Sequence, residues 1–121
     1  MKVVAIIQAR MGSTRLPGKV MKLLAGHTVL SHVVKRVQAC RAIHNVVVAT
    51  TTSAQDDIIA EESSKYGADV SRGSESDVLS RYYFAAKKVS ADIIVRITSD
   101  CPLLDPSVLS DMLQIFLDRY N

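Results

Sequence analysis

The chain has 121 residues, 48% of them hydrophobic and 22% charged, which suits a single globular domain spanning 1–121 and large enough to bury a core without disulfide staples. Its two cysteines, Cys40 and Cys101, fall outside any Cys-x-x-Cys spacing, which argues for a reducing, cytoplasmic setting and against a structural zinc site. No apolar run reaches the roughly 18 to 20 residues of a membrane span, no signal-peptide pattern opens the chain, and aromatics at 5% without Trp give little material for stacking nucleic-acid bases, so neither a membrane nor a nucleic acid is an expected partner.

The first strand is expected at Val3–Ile7, a continuous β-branched run, and Gln8 to Gly18 then breaks all periodicity. Thr28 is a suitable N-cap for a helix reaching about Arg41, with Val29, Leu30, Val33, Val34 and Val37 on one face. Asn45–Ala49 reads as a second strand, 50–55 as a polar loop, and Asp56–Tyr66 as a helix stopped by Gly67. Ala68–Ser71 makes a short third strand. A helix over Asp77 to about Val89, a strand over Asp92–Thr98, and a last helix starting at Asp105-Pro106 complete the order β-α-β-α-β-α-β-α. Strands alternating with helices of this length imply an α/β fold, a Rossmann-like, mainly parallel sheet covered by helices on both faces. In such sheets, ligands bind beyond the carboxyl ends of the strands.

Charge is sorted along the chain. Eight basic residues and no acid precede Asp56, whereas seven basic and twelve acidic residues lie from Asp56 onward. One half can attract anions while the other can hold a cation, although helix faces that happen to be basic early and acidic late would give the same sorting.

The segment Gln8-Ala9-Arg10-Met11-Gly12-Ser13-Thr14-Arg15-Leu16-Pro17-Gly18-Lys19 sets three cations among small residues whose N–H groups can face a ligand. It suits a polyphosphate cradle; the alternative is a loop of solvated cations. It is not a Walker loop, because five residues separate Gly12 from Gly18 and Val20 stands where Ser or Thr would hold magnesium. No G-x-G-x-x-G is present for a dinucleotide.

The run A-R-x-G-S-T-R-L-P-G-K after a first strand resembles the nucleotidyltransferases that make CMP-activated sugars, the 3-deoxy-manno-octulosonate and acylneuraminate cytidylyltransferases. Arg72 to Tyr83 (R-G-S-E-S-D-V-L-S-R-Y-Y) and Arg96 to Pro106 (R-I-T-S-D-C-P-L-L-D-P) look most like the spore coat polysaccharide biosynthesis protein SpsF branch of that group. The resemblance covers essentially the whole chain. It implies transfer of a cytidylyl group from CTP to a sugar acceptor, with release of pyrophosphate, by a Mg-dependent and dimeric enzyme.

The resemblance makes Arg10 and Lys19 triphosphate ligands, with Ala9, Gly12, Ser13 and Arg15 completing the loop. It places Thr50 and Ser74 toward the nucleoside. Asp100 matches the magnesium-binding carboxylate, so the implied catalytic group is Arg10, Lys19 and Asp100. Turn or N-cap duty is the other reading of Asp100. Asp105, just before Pro106, is better placed as a cap. His27, His32 and His44 form no ligand spacing, and Cys101 reads as a packed thiol.

Three departures accompany the match. Thr51 stands where many members carry an acid, and Asp77 stands where an Arg often does. Resembled enzymes also run to roughly twice this length, so the chain is expected to be the N-terminal half of such an enzyme or a shortened copy. The competing reading is a catalytically silent nucleotide-binding or assembly module that needs a missing half or a partner chain. Homo-oligomerisation is expected in either case.

Overall fold

The computed structural model describes residues 1–12, 18–99 and 105–120. Within them, β1 (Val3–Gln8), β4 (Asn45–Thr51), β5 (Asp69–Gly73) and β6 (Ile93–Thr98) form one four-stranded sheet in the order β5-β4-β1-β6. Every pairing in it is parallel. The central strand β1 is buried from Val3 to Ile7, which explains its unbroken apolar run: a strand covered on both faces has no polar side to alternate with.

Four helices cover the sheet: α1 (Val29–Gln38), α2 (Asp57–Lys65), α3 (Val78–Lys88) and α4 (Pro106–Tyr120). Alternation along the strands sorts the core into two layers. Val3, Ala5, Ile7, Val46, Val48 and Ile97 pack with Leu30, Val33, Val34 and Val37 of α1, Ile59 of α2, and Leu109 and Leu113 of α4. On the other face, Val4, Ile6, Val47 and Ala49 pack with Tyr82 and Ala85 of α3. Each fully buried Val, Leu or Ile contributes about 1.5–3 kcal/mol relative to exposure, so the three-helix layer carries most of the apolar stabilisation.

The expected α/β class, strand order along the chain and two-sided cover are all present. Differences are local. Helix α1 ends at Gln38 rather than near Arg41, because the Cys40 amide bonds the Val37 carbonyl at 3.0 Å, three residues back, and tightens the last turn out of α geometry. Strands β4 and β5 each run two residues beyond their expected ends, to Thr51 and Gly73, where these two residues pair in register. Two elements were absent from the sequence reading. Leu23–Leu24 (β2) and His27–Thr28 (β3) form a small antiparallel hairpin, closed by Ala25 and Gly26 at φ 53° and 83°, the positive-φ pair of a two-residue hairpin loop. Short 3-10 turns occupy Lys19–Met21 and Ala54–Asp56. No described helix is long and apolar enough to cross a membrane.

Helix caps follow the sequence. Thr28 accepts from the Ser31 amide at 3.1 Å and Asp77 from the Ser80 amide at 3.1 Å. Asp105 accepts from both the amide and the hydroxyl of Ser107, at 2.9 and 2.7 Å, so it is the cap that its place before Pro106 suggested. Those two bonds, the hydroxyl's first, hold the Asp105 carboxyl below its ordinary pKa.

Candidate functional site

The carboxyl ends of the four parallel strands point to one edge of the sheet, and the loops after β1, β4 and β5 meet there. Asp56 joins the first two. Its side chain is 1% exposed; one oxygen accepts the Met11 amide at 2.8 Å and the other accepts the Thr51 hydroxyl. A carboxylate bonded on both oxygens replaces its lost hydration and fixes both segments. Gly18 closes the loop after β1 by donating from its amide to the Met11 carbonyl at 2.9 Å, in a left-handed conformation (φ 72°) that favours glycine. Met11 is therefore held at both its N–H and its C=O.

Arg10 and Gly12 flank this anchor. A Cβ on Gly12 would meet Gln55 Nε2 at 3.0 Å and Glu75 Oε1 at 3.9 Å, so the loop after β1 touches side chains from the loops after β4 and β5. Lys19 opens the 3-10 turn that follows Gly18. Ala9 is buried and donates to the Ala49 carbonyl at 3.1 Å, extending the β1–β4 pairing toward the loop.

Arg81 lies inside the α3 face at the same edge. It is 2% exposed, and its Nη1 donates to the carbonyls of Ser74 and Glu75 at 2.8 and 3.1 Å. Burial pushes this guanidinium below its usual pKa, and the charge of Arg10 adds to that, against the raising influence of Tyr82, Asp56 and Glu75. Beside it, Tyr82 donates to Gln8 Oε1 at 3.1 Å, and the Arg96 guanidinium stacks 4.4 Å above the Tyr82 ring. Arg72 ties the loop after β4 to β5, donating to the Thr51 and Ser53 carbonyls at 2.8 and 2.9 Å and pairing with Asp57 at 2.8 Å.

Of the residues expected at the site, Arg10, Gly12 and Ser74 gather here with Asp56, Gln55, Glu75 and Arg81. The Ser74 hydroxyl accepts the Asp77 amide at 3.1 Å, shaping the turn into α3. Thr50 does not join them. It is fully buried and shares the strand face of Val48, toward α1 and α2, with its hydroxyl unpartnered. Ser13, Arg15, Asp100 and Cys101 lie outside the described residues.

Asp56 and Arg81 were missed from sequence because each was absorbed by a helix pattern. Asp56 is the first acid of the chain and read as a helix start. Arg81 falls at the inward spacing of Val78, Tyr82 and Ala85, and a cation on an apolar face was the available signal.

The edge thus brings a carboxylate-anchored, Gly-containing loop beside a buried guanidinium with two unpartnered nitrogens, an arrangement suited to an anionic ligand. Comparison with known proteins points the same way. A solved cytidylyltransferase structure from Leptospira borgpetersenii is 45% identical, superposes with a TM-score of 0.95, and is matched over 100% of this chain and 51% of its own. The spore coat polysaccharide biosynthesis protein SpsF of Bacillus subtilis is 42% identical over 94% of this chain and 49% of its own length. A structure of CMP:2-keto-3-deoxy-manno-octonic acid synthetase complexed with CTP is 28% identical with a TM-score of 0.82, matched over 98% of this chain and 48% of its own. The chain spans about half the length of the curated relatives it matches. The sequence model described as Cytidylyltransferase fits residues 4–121, and the chain, carrying that fold and its strand-end loop, belongs to the cytidylyltransferase family.

Proposed function

We propose that the chain is the nucleotide-binding half of a magnesium-dependent nucleotidyltransferase that converts CTP and a sugar to a CMP-sugar and pyrophosphate, for polysaccharide or cell-surface glycan synthesis. The observation that carries this reading is the anchoring of the loop after β1 by Asp56 and Gly18 at the strand-end edge, within a family whose relatives are named for this chemistry. A sugar hydroxyl would attack the α-phosphorus in line; the new P–O bond forms as the bond to pyrophosphate breaks. Negative charge grows on the leaving oxygens, and prepositioned cations and N–H groups stabilise it most at that point. Arg10 supplies a bidentate fork and Lys19 a compact charge. Gly12, Ser13 and Arg15 would complete the cradle.

Magnesium would supply charge neutralisation at the phosphates. It takes one or two carboxylates together with phosphate oxygens and water. Asp56 is already committed on both oxygens, and the described residues contain no group of three or more potential ligands. Asp100, which the family resemblance matches to the magnesium-binding carboxylate, would serve as a single ligand shared with the phosphates.

A cytoplasmic homo-oligomer is the setting we assign. Cys40 is a buried free thiol, as a reducing compartment maintains. Val108, Met112, Ile115 and Phe116 of α4 and Ile94 of β6 are exposed, an apolar surface suited to self-association.

A thermal-shift comparison of the four nucleoside triphosphates with Mg²⁺ tests this reading, since a ligand that prefers the folded state raises the melting temperature. CTP should give the largest rise. No rise with any nucleotide would overturn the assignment. Turnover by these 121 residues alone should be negligible, because losing acceptor positioning removes on the order of 7 to 11 kcal/mol of rate enhancement. Robust CTP-dependent pyrophosphate release would contradict the half-site account.

A further inference from the structure

Gly12 is a glycine for reasons of space. The described glycines at positive φ are Gly18, Gly26 and Gly67, so the backbone of Gly12 does not itself ask for a missing side chain. A Cβ there would instead lie 3.0 Å from Gln55 Nε2 and 3.9 Å from Gln55 Cδ, the first closer than non-bonded heavy atoms pack comfortably. The loop after β1 is thus bare at the point where the Gln55 carboxamide lies against it.

Gln55 is presented by a turn whose neighbouring residues are tied down. Ser53 donates its amide to Thr51 Oγ1 at 3.1 Å, and its carbonyl accepts Arg72 Nη2 at 2.9 Å. Asp56 is spent on the Met11 amide and the Thr51 hydroxyl, and Asp57 pairs with Arg72. Gln55 is exposed, and its side chain has no hydrogen-bond partner among the described residues. In a segment with two adjacent acids, both carboxylates are therefore committed, and the side chain that faces the loop is a neutral amide with two N–H donors. A phosphate oxygen requires a donor there, whereas a free carboxylate would repel it. Glu75, whose Oε1 lies 3.9 Å from the same Cβ position, is met by the charge of Arg81.

We propose that Gln55 is a phosphate-binding residue whose carboxamide N–H groups donate, across Gly12, to a non-bridging oxygen of the polyphosphate held by the loop after β1. This rests on the proposed CTP site. The bound oxygen then joins the loop after β1 to the turn after β4, the two segments that Asp56 already couples at Met11. A donor carried on a turn fixed in this way loses little freedom when it engages the ligand.

Isothermal titration of the 121-residue chain and its Gln55→Ala and Gln55→Glu variants with inorganic pyrophosphate and with CTP, Mg²⁺ present, tests the assignment. Gln55→Ala should weaken both ligands by about tenfold, the scale of a hydrogen bond to a charged group. Gln55→Glu should weaken them further, because it replaces the donor by a like charge. Unchanged pyrophosphate affinity in Gln55→Ala would overturn the role of Gln55 and leave the CTP site standing, whatever the added charge does in Gln55→Glu. Binding of neither ligand by the unaltered chain overturns both readings. The side-chain amide signals of Gln55 in the ¹⁵N spectrum of the unaltered chain give a second readout that needs no variant. They must move on adding pyrophosphate and stay fixed with cytidine at the same concentration. Movement with cytidine, or none with pyrophosphate, rejects the proposal.

Discussion

Asp56 and Met11 are 45 residues apart, and the carboxylate of one accepts the amide of the other at 2.8 Å. The bond couples the turn after β4 to the loop after β1. Replacing Asp56 by Ala strands the Met11 amide and the Thr51 hydroxyl inside the protein. A hydrogen bond to a charged group is worth about 1.5–3 kcal/mol, and urea unfolding of Asp56→Ala should show a loss of at least that size. An unchanged midpoint would mean that the loop is held by other contacts.

Lys19 follows the left-handed Gly18 and Arg10 precedes Met11, so both flank the anchored loop without supporting the core. Lys19→Ala should weaken CTP binding by about 1.5–3 kcal/mol while leaving the fold stable. Arg10→Lys should weaken it too, since a point charge does not replace a fork. Titration calorimetry with CTP checks both; unchanged affinity in the two variants removes the cradle.

The metal assignment separates from the loop by its dependence on magnesium. Asp100→Asn should abolish the Mg²⁺ dependence of CTP binding and leave cytidine binding as it was. A variant that keeps the metal response but unfolds more easily would return Asp100 to the role of a turn or cap residue.

The sheet class and the order of elements along the chain were legible because β1 and β4 are continuous β-branched runs and α1 carries five apolar residues at helical spacing. The hairpin at Leu23–Thr28 was not, since its strands are two residues long and its turn places Ala25 at positive φ, where alanine is an uncommon choice. Arg10, Gly12 and Lys19 stood out as a local motif. Asp56 and Arg81 act through contacts with residues distant in sequence or through burial, and neither quantity is written in local spacing. Strand alternation sends Thr50 to the face opposite Thr51, and the phase of that alternation depends on which helices cover which side.

The cap of α4 gives a pH prediction. Ser107 lowers the Asp105 pKa mainly through its hydroxyl. The cap's stabilisation is therefore complete above the ordinary carboxylate value near 3.9 and is lost as pH falls through the depressed folded value. A carbon-detected NMR titration should place Asp105 below that ordinary value, and Ser107→Ala should move it upward. An identical titration in the two proteins would mean that the hydroxyl bond does not form in solution.

On the proposed function, one nucleotide reaches from the loop after β1 to the loop after β5. Amide chemical-shift mapping on adding Mg·CTP tests it most directly, because it reports every loop in one experiment. The account predicts the largest changes at Met11, Gly12, Gly18, Lys19 and the Ser74–Asp77 segment, with the amides of Leu109 to Phe116 in α4 unmoved. Changes concentrated in α4, or none at the loop after β1, would contradict it.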